Sequence, residues 1–177
     1  MRIEAAPIAF RPASARDFDY CAKLYLSSME TATRPHLEMA ARVAGFRERW
    51  DAQQVRIVRR DGADIGWLQT ATTADALFVA QLFVEPALRR QGVGTEVMRR
   101  IIGEAARAGQ AVTLGVVKTN PAIRLYERLG FTITHEDGRK FFMRCDSVGP
   151  MPDRPGGQKE TRRDARHDRA SPSGIKI

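Results

Sequence analysis

The spacing of apolar residues along the chain changes several times, and each change predicts a new element. Short apolar runs that are rich in β-branched or aromatic residues and end at turn residues predict strands. These runs lie at 8–12, 54–59, 64–72, 76–84, 111–117, 131–135 and 139–145. Apolar residues three and four positions apart predict helices at 17–29, 37–50, 93–109 and 121–129. The order β-α-α-β-β-β-α-β-α-β-β predicts an α/β (α+β) fold in a single domain. It has a mixed, mostly antiparallel sheet of about six or seven strands flanked by helices.

The most informative pattern is the strand at 76–84 and the turn that follows it. Pro86 ends the strand because it has no N–H for a ladder, and a helical spacing begins at Val93. The first amides of a helix have no partner within the helix, and glycine lets a ligand approach the backbone closely. The turn therefore predicts a site for phosphate groups. Its residues are basic or contain glycine: Arg89, Arg90, Gln91, Gly92 and Gly94.

Two common phosphate-binding motifs are excluded by the residues around this turn. A P-loop needs a lysine after its glycines, whereas Gly94 is followed directly by Thr95. A dinucleotide-binding fingerprint needs a third glycine where Val97 stands, and an acid about 20 residues further on. The region 112–117 offers no such acid.

A second block follows the apolar run at 111–117. Asn120 suits a helix N-cap, Pro121 suits the first helical position, and Gly130 suits the residue after a helix end. The block reads Asn120-Pro121-Ala122-Ile123-Arg124-Leu125-Tyr126-Glu127-Arg128-Leu129-Gly130-Phe131.

Together the two blocks resemble the GNAT superfamily of acyl-CoA-dependent N-acetyltransferases. Its signature Q/R-x-x-G-x-G/A is matched by Arg89, Gly92 and Gly94, and its later L-Y-x-x-x-G-F block is matched around Tyr126. The resemblance covers roughly 55–144. It implies that acetyl-CoA is the acyl donor and that an amine is the acceptor. No metal is expected, because the sequence has no cluster of metal-ligating residues. The resemblance further implies cofactor contacts from Leu82, Phe83, Val84, Arg89, Arg90, Gln91, Gly92, Val93, Gly94, Thr95 and Asn120.

The resemblance also implies how the chain would catalyse direct transfer. The strands at 82–84 and 113–116 are expected to separate, so that the pantetheine arm of the cofactor lies between them. A backbone N–H of Phe83 or Val84 would receive the charge that develops on the thioester oxygen. Tyr126 is the expected general acid, since a phenol stays protonated at neutral pH. A role in packing alone is the alternative for this ring.

The general base is less well defined by the sequence. Glu85 directly follows the strand and is the first candidate. Gln81 holds a place where some relatives carry an acid, and glutamine cannot take a proton. A water relay to Glu30, Glu38 or Glu85 is therefore open, and His36 is a further candidate.

Length and composition agree with one globular domain and leave two other functions open. The chain has 177 residues, of which 43% are hydrophobic and 28% charged. Its net charge of +8 suits nucleic acid, but the charge is dispersed and no nucleic-acid-binding motif is present. The alternatives to an enzyme are therefore a non-catalytic acyl-CoA-binding module and, less favoured, a nucleic-acid-associated basic protein. A homodimer is left open.

The location and the domain limits follow from the rest of the chain. No apolar run approaches the ~18 residues of a membrane span, and the start lacks an apolar signal region, so we expect a cytoplasmic protein. Residues 1–145 are expected to form one GNAT N-acetyltransferase domain. Residues 146–177 are expected to be a disordered tail, because they hold too few apolar side chains to offset the entropy of ordering.

Overall fold

The computed structural model describes residues 6–28, 35–146 and 174–176, with side chains at 6–28 and 39–146. Within these ranges the strands are Ala9–Pro12 (β1), Val55–Arg60 (β2), Ala63–Thr72 (β3), Ala76–Val84 (β4), Ala111–Val117 (β5), Thr132–Glu136 (β6), Lys140–Cys145 (β7) and Gly174–Lys176 (β8). The α-helices are Phe18–Ser27 (α1), Pro35–Arg49 (α2), Val93–Arg107 (α3) and Ile123–Arg128 (α4).

The predicted fold class and element order are confirmed. The sheet runs β1-β2-β3-β4-β5-β7-β6, and its neighbours are antiparallel except for the parallel pair β4 and β5. The hairpin between β2 and β3 turns at Asp61 and Gly62, which have φ of 50° and 79°. Positive φ at both positions suits the twist of the strands. In the described part of the chain, no helix has the length and apolar content needed to cross a membrane.

The helices α3 and α4 cover one side of the sheet, which we call the α3/α4 face. Buried residues of α3 recur three and four positions apart and join a cluster with β3, β4 and β5. Val97 and Ile101 of α3 and Tyr126 of α4 belong to this cluster, together with Leu82 and Val84 of β4. One continuous core therefore joins both helices to the end of β4.

The helices α1 and α2 cover the opposite side, the α1/α2 face, through contacts between aromatic rings. Tyr25 stacks on Phe46 with ring centroids 4.8 Å apart, and Trp67 of β3 stacks on Phe83 of β4 at 4.9 Å. Phe46 joins the two pairs by an edge contact with Trp67. Such pairs each add ~0.5–1.5 kcal/mol beyond the burial of area. The two helices are thereby fixed over the end of β4.

A β-bulge in β4 separates this strand from β5. The register between β3 and β4 shifts between Gln69 and Thr70, which leaves Ala80 without a partner in β3. β4 and β5 are paired only as far as Val79 and Leu114, although both strands continue. The separation expected from the resemblance is present beyond these residues, whereas Thr113 and Leu114, which were expected to separate too, stay paired with Phe78 and Val79. We call the space between 81–84 and 115–117 the β4/β5 gap.

The strand β8 departs from the expectation of a wholly disordered tail. It pairs in parallel with β4, Gly174 with Gln81, and Ile175 with Leu82. A few residues of main chain are enough to pair with an open strand edge, and the composition of the tail does not report this. The rest of the predicted tail, 147–173 and 177, lies outside the described residues.

The first testable prediction concerns Gly66 of β3. A Cβ at this position would lie 2.3 Å from the carbonyl oxygen of Phe83, so the backbone would have to move. We expect Gly66→Ala to lower the free energy of unfolding by about 1–3 kcal/mol. Gly103→Ala in α3 is the matched control, because the nearest atom is the end of the Arg107 side chain at 3.9 Å. It should raise stability by up to about 1 kcal/mol, as alanine favours a helix.

Urea unfolding measures both variants. If Gly66→Ala were as stable as the parent, the close approach of β3 and β4 at the end of the gap would be wrong.

Candidate active site

The turn after β4 leads tightly into α3. It begins with a 3-10 segment, Pro86–Leu88, and then passes through two residues of positive φ, Arg90 at 61° and Gly92 at 84°. The side-chain nitrogen of Gln91 donates to the carbonyl oxygen of Ala87 at 2.7 Å. The side chain of Arg90 is exposed. The predicted basic, glycine-containing turn is therefore present at the mouth of the β4/β5 gap.

The N-terminus of α3 lies at this turn and carries no side-chain cap. Gly92 occupies the N-cap position and provides no side chain to bond the helix amides. Val93 and Gly94 are buried, and Thr95 is half-buried. The first amides of a helix lack acceptors within it, and the helix dipole gives them partial positive charge. This end of α3 therefore fits a phosphate group.

Arg89 adds a partly unsatisfied cation to the same site. Its Nε donates to the carbonyl oxygen of Val84 at 3.0 Å, and one of its terminal nitrogens is buried with no hydrogen-bond partner among the described residues. A buried charged donor without a partner is costly, so an anion here would be stabilising. The acid in the first turn of α3, Glu96, instead accepts from the N–H of Ile8 at 2.7 Å and pairs with Arg60.

Main-chain groups at the end of β4 face the gap. The N–H of Glu85 donates to the carbonyl oxygen of Ile65 in β3 at 3.0 Å, so it faces away from the gap. Successive amides of a strand face opposite edges, so the amides of Leu82 and Val84 face the gap, and that of Phe83 faces β3. Phe83 was one of two predicted donors to the thioester oxygen, and this orientation excludes it. Of the two predicted donors, only the amide of Val84 faces the gap, and the amide of Leu82 is a second candidate.

Asn120 lies in the turn before α4. Its side-chain oxygen accepts from the N–H of Ala122 at 2.9 Å, and its own N–H donates to Val117 at 2.8 Å. α4 therefore begins at Ile123 with Ala122 as N-cap, rather than at Pro121 as predicted. The correction is small, since Asn120 still orders the turn. Its contact with a cofactor stays a prediction.

The end of α4 is a Schellman motif that fixes the ring of Tyr126. Gly130 has a φ of 89°, as predicted for the residue after the helix. The N–H of Gly130 donates to Glu127, and that of Phe131 donates to Tyr126, both at 3.0 Å. This motif brings the residue after the glycine against the last turn of the helix. The rings of Tyr126 and Phe131 accordingly meet edge to face, with centroids 5.6 Å apart.

The hydroxyl of Tyr126 is buried, and it has no hydrogen-bond partner among the described residues. Burial raises the pKa of Tyr126 above its usual range, so the phenol stays protonated at neutral pH. A buried hydroxyl without a partner costs ~1–3 kcal/mol, which a ligand atom could offset. Tyr126 shares its cluster with Leu82, Val84 and Val116, which lie along the two sides of the gap. The hydroxyl therefore lies unsatisfied within the core cluster that borders the gap.

Glu85 lies at the other face of the sheet, beside Tyr20 of α1. The hydroxyl oxygen of Tyr20 is buried, and burial raises the pKa of Tyr20; the neighbouring Glu85 carboxylate raises it further. Glu85 itself is half-buried. Tyr126 and Glu85 therefore lie on opposite faces, with the end of β4 between them. The other predicted bases, Glu30 and the side chains of His36 and Glu38, lie outside the described residues.

Two buried glutamines also belong to the α1/α2 face. Gln69 and Gln81 are cross-strand partners on β3 and β4, and each alternates with a ring of the aromatic cluster, Trp67 or Phe83. Only 5% of Gln69 and 4% of Gln81 is exposed, and the side-chain oxygen of each has no partner among the described residues. These oxygens can accept hydrogen bonds from a ligand.

Sequence reasoning missed Tyr20 and Gln69. The period-two spacing of Trp67 and Gln69 could have indicated that they share a face. The sequence carries no signal for Tyr20, because its contact depends on how α1 packs over the end of β4.

The sheet that opens between its fourth and fifth strands, above a glycine-containing helix entry, defines the class of protein as GNAT-like. Residues 51–133 match the family model described as the acetyltransferase (GNAT) domain. The resemblance to the GNAT superfamily is therefore confirmed over this part of the chain.

Individual proteins resemble the chain in sequence or in fold. Over 55 residues it is 42% identical to the L-methionine sulfoximine/L-methionine sulfone acetyltransferase of Salmonella typhimurium. This match spans 30% of the chain and 32% of that relative's length.

Two solved structures share the fold. The ribosomal-protein-S18-alanine N-acetyltransferase from Escherichia coli has a TM-score of 0.63 and 16% identity, over 84% of this chain and 99% of that one. PaiA N-acetyltransferase from Thermoplasma acidophilum, in complex with coenzyme A, has a TM-score of 0.64 and 16% identity, over 78% of this chain and 98% of that one.

The second prediction tests the phosphate site with a matched pair of glycines. Gly92 and Gly62 have φ of 84° and 79°, and a Cβ on either would have no atom within 4 Å. Gly92→Val should raise the acetyl-CoA dissociation constant at least tenfold, about 1.4 kcal/mol, because the side chain would obstruct the helix N-terminus. Gly62→Val carries similar backbone strain, far from the site, and should leave that constant unchanged.

Calorimetric titration measures both constants. A folded Gly92→Val variant with the affinity of the parent would remove the phosphate site from this turn.

Proposed function

We propose that the protein is an N-acetyltransferase that moves an acetyl group from acetyl-CoA directly to a primary amine. The observation that carries the proposal is the β4/β5 gap, which ends at the uncapped N-terminus of α3. A ligand with phosphates at one end would fit the N-terminus of α3, and a narrow, amide-containing arm at its other end would fit the gap. A small phosphate compound would leave the gap unused. We expect the protein to act in the cytoplasm.

The residues around the gap fit acetyl-CoA, which supplies an activated acetyl thioester when bound. The pyrophosphate would be held by the first amides of α3 and by Arg89, whose buried terminal nitrogen lacks a partner among the described residues. The exposed Arg90 would add long-range attraction for the same charge. Gly92 keeps the approach to these amides open.

The amides of β4 that face the gap would donate hydrogen bonds to the pantetheine arm and to the thioester oxygen. The amides of Leu82 and Val84 are two residues apart and face the same edge. One would bond the pantetheine arm, and the other would donate to the thioester oxygen as negative charge develops there. The contacts at Gly66 and the aromatic cluster restrict movement of β4, so these donors are fixed before the ligand arrives.

Two proton transfers complete the proposed reaction. A C–N bond forms to the acceptor amine while the C–S bond of the thioester breaks, so the amine loses a proton and the departing sulfur gains one. Glu85, directly or through a water molecule, would take the proton from the amine. Tyr126 would donate a hydrogen bond and then a proton to the sulfur. Their positions on opposite faces match a reaction in which the amine and the sulfur lie on opposite sides of the acetyl carbon.

Two features of the α1/α2 face support an amine as the acceptor. The side-chain oxygens of Gln69 and Gln81 are buried and lack donors among the described residues, so the N–H groups of an amine would satisfy them. The nearby Glu85 carboxylate suits a group that arrives as a cation. The sequence match to the named acetyltransferase covers only 32% of that relative, so the proposal extends to a primary amine and no further.

The third prediction separates an enzyme from an acyl-CoA-binding module. Tyr126→Phe keeps the ring contact with Phe131 and removes only the hydroxyl, so kcat should fall by a factor of about 10²–10⁴. The KM for acetyl-CoA should change less than kcat, because the lost step is chemical. Tyr25→Phe is the control, since Tyr25 is also buried but lies in the aromatic cluster.

Steady-state kinetics with an amine acceptor and a thiol-release assay measure both variants. If Tyr126→Phe turned over at nearly the parent rate, the acid assignment would be wrong.

The fourth prediction concerns Glu85 and the pH dependence of the reaction. Glu85→Gln should lower kcat/KM at neutral pH, because the protonated amine then lacks a group to take its proton. The defect should shrink as pH rises towards the pKa of the amine, about 10 for a lysine-like acceptor. The pH profiles of the parent and the variant measure this ratio. A defect of the same size at every pH would show that Glu85 positions the acceptor without acting as a base.

A further inference from the structure

The chain's own β8 lies in the gap that the proposed function gives to acetyl-CoA. β8 pairs with β4 at Gln81, Leu82 and Phe83. β3 pairs with these same residues through the opposite edge of β4. A strand has only two edges, so β8 must lie on the edge that faces the β4/β5 gap. It begins pairing with β4 just beyond Val79, where the pairing between β4 and β5 ends.

The main-chain groups of β4 that pair with β8 include a proposed hydrogen-bond donor to the pantetheine arm or the thioester. Within the paired segment, the amide that faces the gap is that of Leu82, since the amide of Phe83 faces β3. This amide is one of the two proposed donors to the thioester and the pantetheine arm. One N–H cannot make a full hydrogen bond to a strand and to a ligand together. Docking of β8 and binding of acetyl-CoA at this edge therefore exclude each other.

We propose that Gly174–Lys176 is an intramolecular ligand of the acyl-CoA gap, which closes the site until acetyl-CoA displaces it. This inference rests on the proposed function, because the proposed function assigns the gap to acetyl-CoA. The strand competes through main-chain hydrogen bonds in the manner of a peptide added to a sheet edge. The tail thereby sets the fraction of molecules that can bind the cofactor.

The competition should be moderate in strength. β8 is only three residues long, and the long connection from β7 makes its docking entropically costly. Apparent affinity falls by the fraction of molecules whose site is open. If one molecule in ten is open, acetyl-CoA binds about tenfold more weakly than to the freed site.

A pair of full-length double variants tests the proposal. Adjacent amides of a strand face opposite edges, so one of those at positions 175 and 176 faces β4, and proline at both positions removes it. Ile175→Pro with Lys176→Pro should bind acetyl-CoA about tenfold more tightly than the parent. Ile175→Val with Lys176→Arg keeps both amides and the charge, and should bind like the parent.

Two further readouts report on docking itself. Without acetyl-CoA, the amide of Leu82 should exchange with solvent faster in the double-proline variant, whereas that of Glu85, bonded to Ile65, should not change. In the parent, the observed rate of acetyl-CoA binding should level off at high concentration, because β8 must leave first. In the double-proline variant it should rise linearly.

The outcomes separate the two proposals. Equal affinities and equal binding rates in the parent and the double-proline variant would overturn the competition and leave the proposed function intact. Unchanged exchange of the Leu82 amide would overturn the docking. Failure of every variant to bind acetyl-CoA would refute the proposed function, and the competition with it.

Discussion

The unpaired residue Ala80 in β4 is the feature on which the rest of the site depends. Without this bulge, β4 and β5 would continue as a parallel pair beyond Val79 and Leu114, and no main-chain group would be left open. The bulge turns the end of β4 away from β5 while the other edge stays paired with β3. A buried sheet thereby acquires an internal edge whose donors and acceptors do not pair with β5. Such an edge is unfavourable unless something pairs with it.

The surrounding packing holds that edge in place from both sides. The absence of a side chain at Gly66 lets β3 approach the carbonyl of Phe83, and the stacked rings of Trp67 and Phe83 hold the two strands together. On the opposite face, the Schellman motif of α4 fixes Tyr126 beside the strand ends. Of the two proposed proton carriers, Tyr126 therefore belongs to the α3/α4 face, and Glu85, at the end of β4, lies beside Tyr20 of the α1/α2 face.

The sequence predicted the elements well because each carries its own local signal. The apolar run of β4, the turn at Asp61 and Gly62, and the spacing of Tyr126, Gly130 and Phe131 all depend on near neighbours in the chain. The last of these spacings is the geometry of a Schellman motif, which explains why the block is recognisable. Within the site, the glycine-containing turn after β4 was predicted for the same reason, and its contact with a cofactor stays a prediction.

The remaining features depend on contacts that no local pattern contains. The choice between the amides of Phe83 and Val84 follows from the register of β3 on β4, and the neighbourhood of Glu85 follows from how α1 is packed. The strand β8 lies in a segment whose composition indicates disorder, because composition measures burial of side chains and β8 pairs through its main chain. The internal edge opened by the bulge can form hydrogen bonds with any chain segment or ligand arm that offers amide donors and acceptors at the spacing of a strand. The same constraint that creates the proposed acyl-CoA site therefore also leaves the edge with which β8 pairs.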